Sequence, residues 1–148
     1  MDPEGVTVHL EWSNGIIEQL MARQTADKSR SVLLILDDNG EDIRRDRDSQ
    51  KTFNMLVSNS RHLSISIVFL AQRVTQIPTF MRAQTDCFMV FGSVSTRERE
   101  SLYNEVSVLD KPDFKRMFSA ATTGEHGFFV ASFQRGTLKY YKSCETEF

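Results

Sequence analysis

Val6, Val8, Leu10 and Trp12 alternate with Thr7, His9 and Glu11, a period of two that predicts a half-buried strand. After Ser13-Asn14-Gly15, the spacing of Ile16, Ile17, Leu20 and Met21 predicts a helix ending near Arg23, closed by the polar stretch Gln24 to Ser31. Val32 to Leu36 is apolar without alternation, the pattern of a strand covered on both faces in a parallel sheet. It stops abruptly at Asp37-Asp38. Asp48 to Ser60 sets Phe53, Met55, Leu56 and Val57 among polar residues, as in a helix packed on one side. Ile65 to Leu70 predicts a second covered strand, and a short element around Gln76 to Ala83 leads to a third apolar run, Cys87 to Phe91, ending at Gly92.

Thr96 to Val106 reads as a helix with Thr96 as its N-cap, and Asp110 to Phe118 as a shorter one that tolerates Pro112 near its start. Gly127 to Phe133 and Thr137 to Tyr141 flank Gln134-Arg135-Gly136, a hairpin signal with glycine in the turn. Strands alternating with helices and closed by a hairpin predict one α/β domain over residues 1–148, with a mostly parallel sheet and an antiparallel edge. Ligands bind such sheets beyond the carboxyl ends of the strands, which directs attention to Asp37, Asp38, Ala71, Gln72 and Gly92.

Composition narrows the partners. With 148 residues, 18 Lys+Arg against 20 Asp+Glu and a formal net charge of -2, any nucleic acid must be held by a local basic surface. Cys87 and Cys144 are the only cysteines and lack zinc-ligand spacing, which points to a reduced, intracellular setting. No apolar run reaches the roughly 18 residues of a membrane span, and the first residues lack the pattern of a signal peptide. His9, His62 and His126 have no metal-ligand spacing, and Cys87 reads as a core residue rather than a nucleophile.

The strongest chemical signal is Asp37-Asp38. A carboxylate at the tip of an apolar strand can reach a magnesium ion directly or through water, alongside substrate phosphates. The next carboxylate can then orient or deprotonate the attacking water. The alternative is that two acids followed by Asn39-Gly40 begin a solvated turn. Gln72, just past the next apolar strand, offers an uncharged donor and acceptor suited to a γ-phosphate or a water. Alone it reads as a loop residue; the acid pair and the glutamine together form a more specific arrangement. Glu41 to Asp48 carries both signs and reads as a solvated loop. Phe128, Phe129, Phe133, Tyr140 and Tyr141 could stack on bases, but their strand spacing favours a hydrophobic sheet face.

VLLILDDNGEDI, then NSRHLSISIVFLAQRVTQIPTFMRAQTDCFMVF and GSVSTRERESLYNEV, resembles the Walker B and sensor region of the FtsK-HerA superfamily of P-loop ATPases. The closest likeness is to the DNA-packaging ATPases of poxviruses and other large nucleocytoplasmic DNA viruses. This resemblance, from about Val32 to Val106, implies a RecA-like sheet and a ring-shaped motor that couples ATP hydrolysis to moving double-stranded DNA into a capsid. By position it implies Asp37 as the Mg2+ carboxylate, Asp38 as the catalytic acid, and Gln72 as the sensor that meets nucleotide. It matches Arg61-His62 to a basic pair before the fourth strand, for which a solvated helix end is the simpler reading. It matches Arg82 to an arginine that could act in a neighbouring subunit's site, although an exposed arginine near a helix end is the simpler reading there too.

One departure limits the likeness. The phosphate loop requires Gly-x-x-x-x-Gly-Lys-Ser/Thr, and the seven glycines here precede Val, Ile, Glu, Ser, Glu, Phe and Thr. The chain thus resembles the carboxyl-terminal half of such an ATPase, lacking the strand, loop and helix of Walker A. The resemblance implies the strand order 2-3-4-1-5, with Val6–Trp12 as strand 2 and the absent strand between Ile65–Leu70 and Cys87–Phe91. Each backbone group orphaned at those edges in a dry interior would cost about 1 to 3 kcal/mol, so either the two strands pair directly or another segment or chain fills the place. A non-hydrolysing interaction module derived from such an ATPase is the alternative. A receiver-like signalling domain is disfavoured, because Ala71-Gln72 and Gly92-Ser93 stand where that fold needs Asp and Lys.

Overall fold

The computed structural model describes residues 5–92, 95–134, 136–144 and 146–148, Gln134 by its backbone alone. The chain forms two compact units. The first comprises the described residues up to 72 with 76–78, and the second residues 73–75 with the described residues from 79 onward.

The first unit begins with helix α1 (Asn14–Ala26), strand β1 (Val32–Asp37), helices α2 (Gly40–Arg45) and α3 (Arg47–Asn59), and strand β2 (Ile65–Leu70). β1 and β2 pair in parallel, from Val32 beside Ile65 to Asp37 beside Leu70. Helix α3 starts at Asp46, whose carboxylate accepts the Ser49 N–H at 2.8 Å and satisfies one of the amides a helix start leaves unpaired. Its Phe53 ring meets Phe69 of β2 edge-on at 6.2 Å and Trp12 at 6.0 Å, while Ile17 and Met21 of α1 complete the buried side. The buried Gln24 donates to the carbonyls of Arg30 and Leu63, both at 2.9 Å, and so ties the end of α1 to the turn before β2.

Three expectations for this unit are corrected. Val6 to Trp12 is not a strand: among the described residues no partner pairs with it, and Leu10 is 95% exposed. The β1–β2 sheet is covered on one face only. Leu33 and Ile35 are 60% and 57% exposed, with Val68 and Leu70 exposed beside them, because the helices that pack on it lie on the opposite side. Glu41 to Asp48 is not a loop but α2 and the start of α3, anchored by the buried Ile43.

The second unit holds helix α4 (Thr79–Arg82), strand β3 (Cys87–Phe91), helices α5 (Thr96–Val106) and α6 (Lys111–Ala121), and strands β4 (Phe128–Gln134), β5 (Thr137–Lys142) and β6 (Thr146–Glu147). Its sheet runs β3-β4-β5-β6, antiparallel throughout. The apolar run of β3 fixed a strand but not its direction, which is set by a partner some forty residues later. Helix α5 is capped by Ser95, one residue before the predicted Thr96, and α6 by Asp110, with Pro112 in its first turn. Phe129, fully buried, packs against Phe114, Phe118 and Tyr140 with ring centroids 5.5 to 5.7 Å apart. The Tyr140 hydroxyl donates to Val106 O at 2.8 Å and accepts the Val108 N–H at 3.1 Å. The aromatic residues of the hairpin therefore form a sheet face and core, as their spacing implied for Phe129 and Tyr140. Cys87 is exposed rather than in the core; partial burial of its sulfur pushes the thiol up, away from a reactive thiolate.

Direct pairing of Ile65–Leu70 with Cys87–Phe91 is not found, since they belong to different sheets. Among the described residues, β2 keeps one unpaired edge and so does β3.

Candidate functional site

The sheet register brings Asp37 and Asp38 to the carboxyl end of the β1–β2 pair, and Gln72 follows β2 there. Asp37 is the last residue of β1 and lies beside Leu70, the last residue of β2. The Asp38 N–H donates to Leu70 O at 3.0 Å, which extends the pairing one residue past the strand. Gln72 follows two residues after Leu70 at the same carboxyl end. All three residues are exposed, and the side chains of Asp37 and Gln72 make no hydrogen bond or ion pair among the described residues.

Pairing and conformation explain why the chain turns here. Asp38 has φ +55°, in the left-handed region that aspartate tolerates better than most residues. That reversal leads straight into Asn39 and α2. Gly40 then passes so close to Gln76 that an added Cβ would lie 2.3 Å from its carbonyl oxygen, a separation no side chain can occupy. The Gln76 amide also donates to Asp38 Oδ1 at 3.3 Å. Gln76 therefore braces the acidic turn through both backbone and side chain. Nothing in the local sequence signalled this role, because the pairing spans 38 positions.

Two hard carboxylates at a strand tip suit Mg2+, which takes oxygen ligands, retains waters and leans on substrate phosphates. They do not make a cage: among the described residues, no three His, Cys, Asp or Glu side chains gather to hold a metal ion. The arrangement can supply one ion contact, one acceptor for a water proton and one neutral amide.

The remaining candidates lie elsewhere. Arg61 and His62 are exposed in the turn between α3 and β2. Arg82 belongs to the second unit, and its side chain is 15% exposed, paired with Glu105 of α5 and donating to Thr79 Oγ1 at 3.0 Å. The expectation of an exposed arginine is corrected: the guanidinium is held in an ion pair that fastens α4 to α5. No helix among the described residues is long and apolar enough to cross a membrane.

Comparison with known proteins supplies a family. The chain is 25% identical over 125 residues to uncharacterized protein 075L of Invertebrate iridescent virus 6, an alignment covering 80% of this chain and 48% of that protein. It thus spans about half the length of the curated relative it matches. No solved structure matches. Residues 3–126, most of the chain and the whole of the Asp37–Asp38–Gln72 end, match the Poxvirus A32 protein family, and the chain belongs to that family.

Proposed function

We propose that this chain is the Walker B and sensor half of a viral DNA-packaging ATPase of FtsK-HerA type, in which ATP hydrolysis drives double-stranded DNA into a capsid inside the infected cell. The observation that carries the reading is the shared carboxyl end of a parallel strand pair, where the register sets Asp37 and Asp38 beside Leu70, two residues before Gln72. Membership of the Poxvirus A32 protein family supports it.

In this reading Asp37 would hold a Mg2+ ion directly or through water, and the ion, brought with ATP, would supply positive charge against that developing on the phosphates. Asp38, fixed by Gln76, accepts a proton from the attacking water. Gln72 orients the water or touches the terminal phosphate.

A phosphate loop must come from another segment or chain, because the sequence contains no Gly-Lys pair. The RecA-like order that the resemblance implies would pair its strand with the edge of Ile65–Leu70. Among the described residues, an unpaired edge on β2 and the bare apolar face of Leu33, Ile35, Val68 and Leu70 suit such a complement. A homo-oligomeric ring follows from the same reading.

The test is equilibrium binding of Mg2+-ATP to the chain, alone and joined to a polypeptide bearing Gly-x-x-x-x-Gly-Lys-Ser/Thr. The joined protein should bind at least tenfold more tightly, and Asp37→Ala should remove most of the Mg2+ dependence. Equal binding with and without the complement would reject the half-site reading. The missing loop also favours a second reading, a non-hydrolysing regulatory module of such a motor; a joined protein that binds ATP but never turns it over would select it.

A further inference from the structure

The outer face of α3 is charged in a way that helix stability does not explain. Its two cations, Arg47 and Lys51, both stand in the amino-terminal half, with the acid Asp48 turned off their line, and its last turn has none. A helix dipole disfavours positive charge at that end and favours it at the other. Neither side chain forms an ion pair or hydrogen bond among the described residues, whereas the nearby Arg45 is paired with Asp42 at 2.6 Å.

The two cations are also aligned. Positions 47, 51, 54 and 58 follow helical spacing along one face, opposite the buried Ser49, Thr52, Phe53, Leu56 and Val57. Arg47, Gln50, Lys51, Asn54 and Ser58 line a shallow open groove whose lining, completed by Met55 and Asn59, contains no carboxylate. In a chain with more acids than bases, that makes a local run of donors about 16 Å long at 1.5 Å per residue. Phosphates along one DNA strand recur about every 3.4 Å of helix axis, so Arg47 and Lys51, about 6 Å apart along the helix, can each meet a separate phosphate.

We infer that this face of α3 is a sequence-independent contact for the phosphate backbone of double-stranded DNA. The charged pair supplies the attraction, and Asn54 and Ser58 supply neutral hydrogen bonds of the kind that position a duplex without reading bases. The choice of DNA rests on the packaging reading; the surface itself rests on the placement of the cations.

The experiment is fluorescence anisotropy of a labelled 30-base-pair duplex with the full chain across a salt series. It compares wild type, Arg47→Glu/Lys51→Glu, the milder Arg47→Gln/Lys51→Gln, and a control, Lys115→Glu/Lys142→Glu, on the second unit. Circular dichroism verifies folding, and the glutamine variant keeps the comparison available if charge reversal unfolds α3. Loss of two phosphate contacts should weaken binding about tenfold or more and flatten the slope of log K against log salt by about 1.8, with the control unchanged. Equal affinity and slope in wild type and both α3 variants, or no duplex binding by wild type at low salt, would overturn the inference. So would displacement of the duplex by polyglutamate as readily as by unlabelled DNA, which would assign the face to an acidic peptide. Failure of the α3 surface leaves Mg2+-ATP binding by the joined protein untouched, so the two proposals fail separately.

Discussion

The two units bury their apolar residues in different ways. In the second unit α5, α6 and the four-stranded sheet close on one aromatic core, where Phe129 and Tyr140 lose nearly all contact with solvent, although Met89 and Phe91 of β3 stay exposed. In the first unit, α1 and α3 cover one side of a two-stranded parallel sheet and leave Leu33, Ile35, Val68 and Leu70 open on the other. An isolated parallel pair with one naked face lacks the cover such sheets normally have. The polar candidates Asp37, Asp38 and Gln72 stand at the end of this unfinished layer. The contrast teaches that stability and candidate chemistry are placed apart: the aromatic core resides in one unit, and the acidic turn at the end of the two-stranded sheet of the other.

Truncation of the closed core should have the largest effect. Phe129→Ala removes a fully buried ring contacted by three others, and should cost about 3 to 5 kcal/mol in urea unfolding. Next, Gly40→Ala would force a Cβ onto the Gln76 carbonyl and should cost about 1 to 3 kcal/mol; its signature is a changed Gln76 side-chain amide resonance as the bond to Asp38 is lost. By contrast, Ile35→Ser on the bare face should shift stability by no more than about 0.5 kcal/mol while reducing self-association in sedimentation. A loss as large as that of Phe129→Ala would erase the distinction between the units.

The smallest effect concerns acid. The backbone N–H of Ser49 holds the Asp46 carboxyl below its ordinary range. A carboxyl whose folded pKa is depressed stabilises above its unfolded pKa, and that contribution fades as pH falls through the lower folded value. Asp46→Asn keeps a capping oxygen but cannot titrate, so its stability should decline less than wild type across that acid range. Parallel declines in thermal melts at stepped pH would show that the cap does not titrate with folding.

Local pattern made much of this legible. The runs Val32 to Leu36, Ile65 to Leu70 and Cys87 to Phe91 are strands, Thr96 to Val106 is a helix with those bounds, and the hairpin forms where glycine marks the turn. What failed depends on partners distant in sequence. Alternation at Val6 to Trp12 describes a residue pattern suited to a strand, but a strand needs a neighbour to bond. An apolar run cannot say whether both faces will be covered by the chain that carries it, nor which way β3 will pair. At the site, the acid pair was visible because charge follows an apolar strand abruptly. Gln76 was not visible, because its importance lies in a carbonyl pressed against Gly40. Arg82 looked exposed because Glu105, which holds it, lies 23 positions away.

The most direct measurement is steady-state ATP turnover by the chain joined to its phosphate-loop complement, with Asp38→Asn set against wild type. Loss of a positioned proton acceptor should lower the rate about 100-fold or more while Mg2+-ATP binding stays within twofold. Turnover by Asp38→Asn at the wild-type rate would contradict the assignment of this strand end as the hydrolytic site.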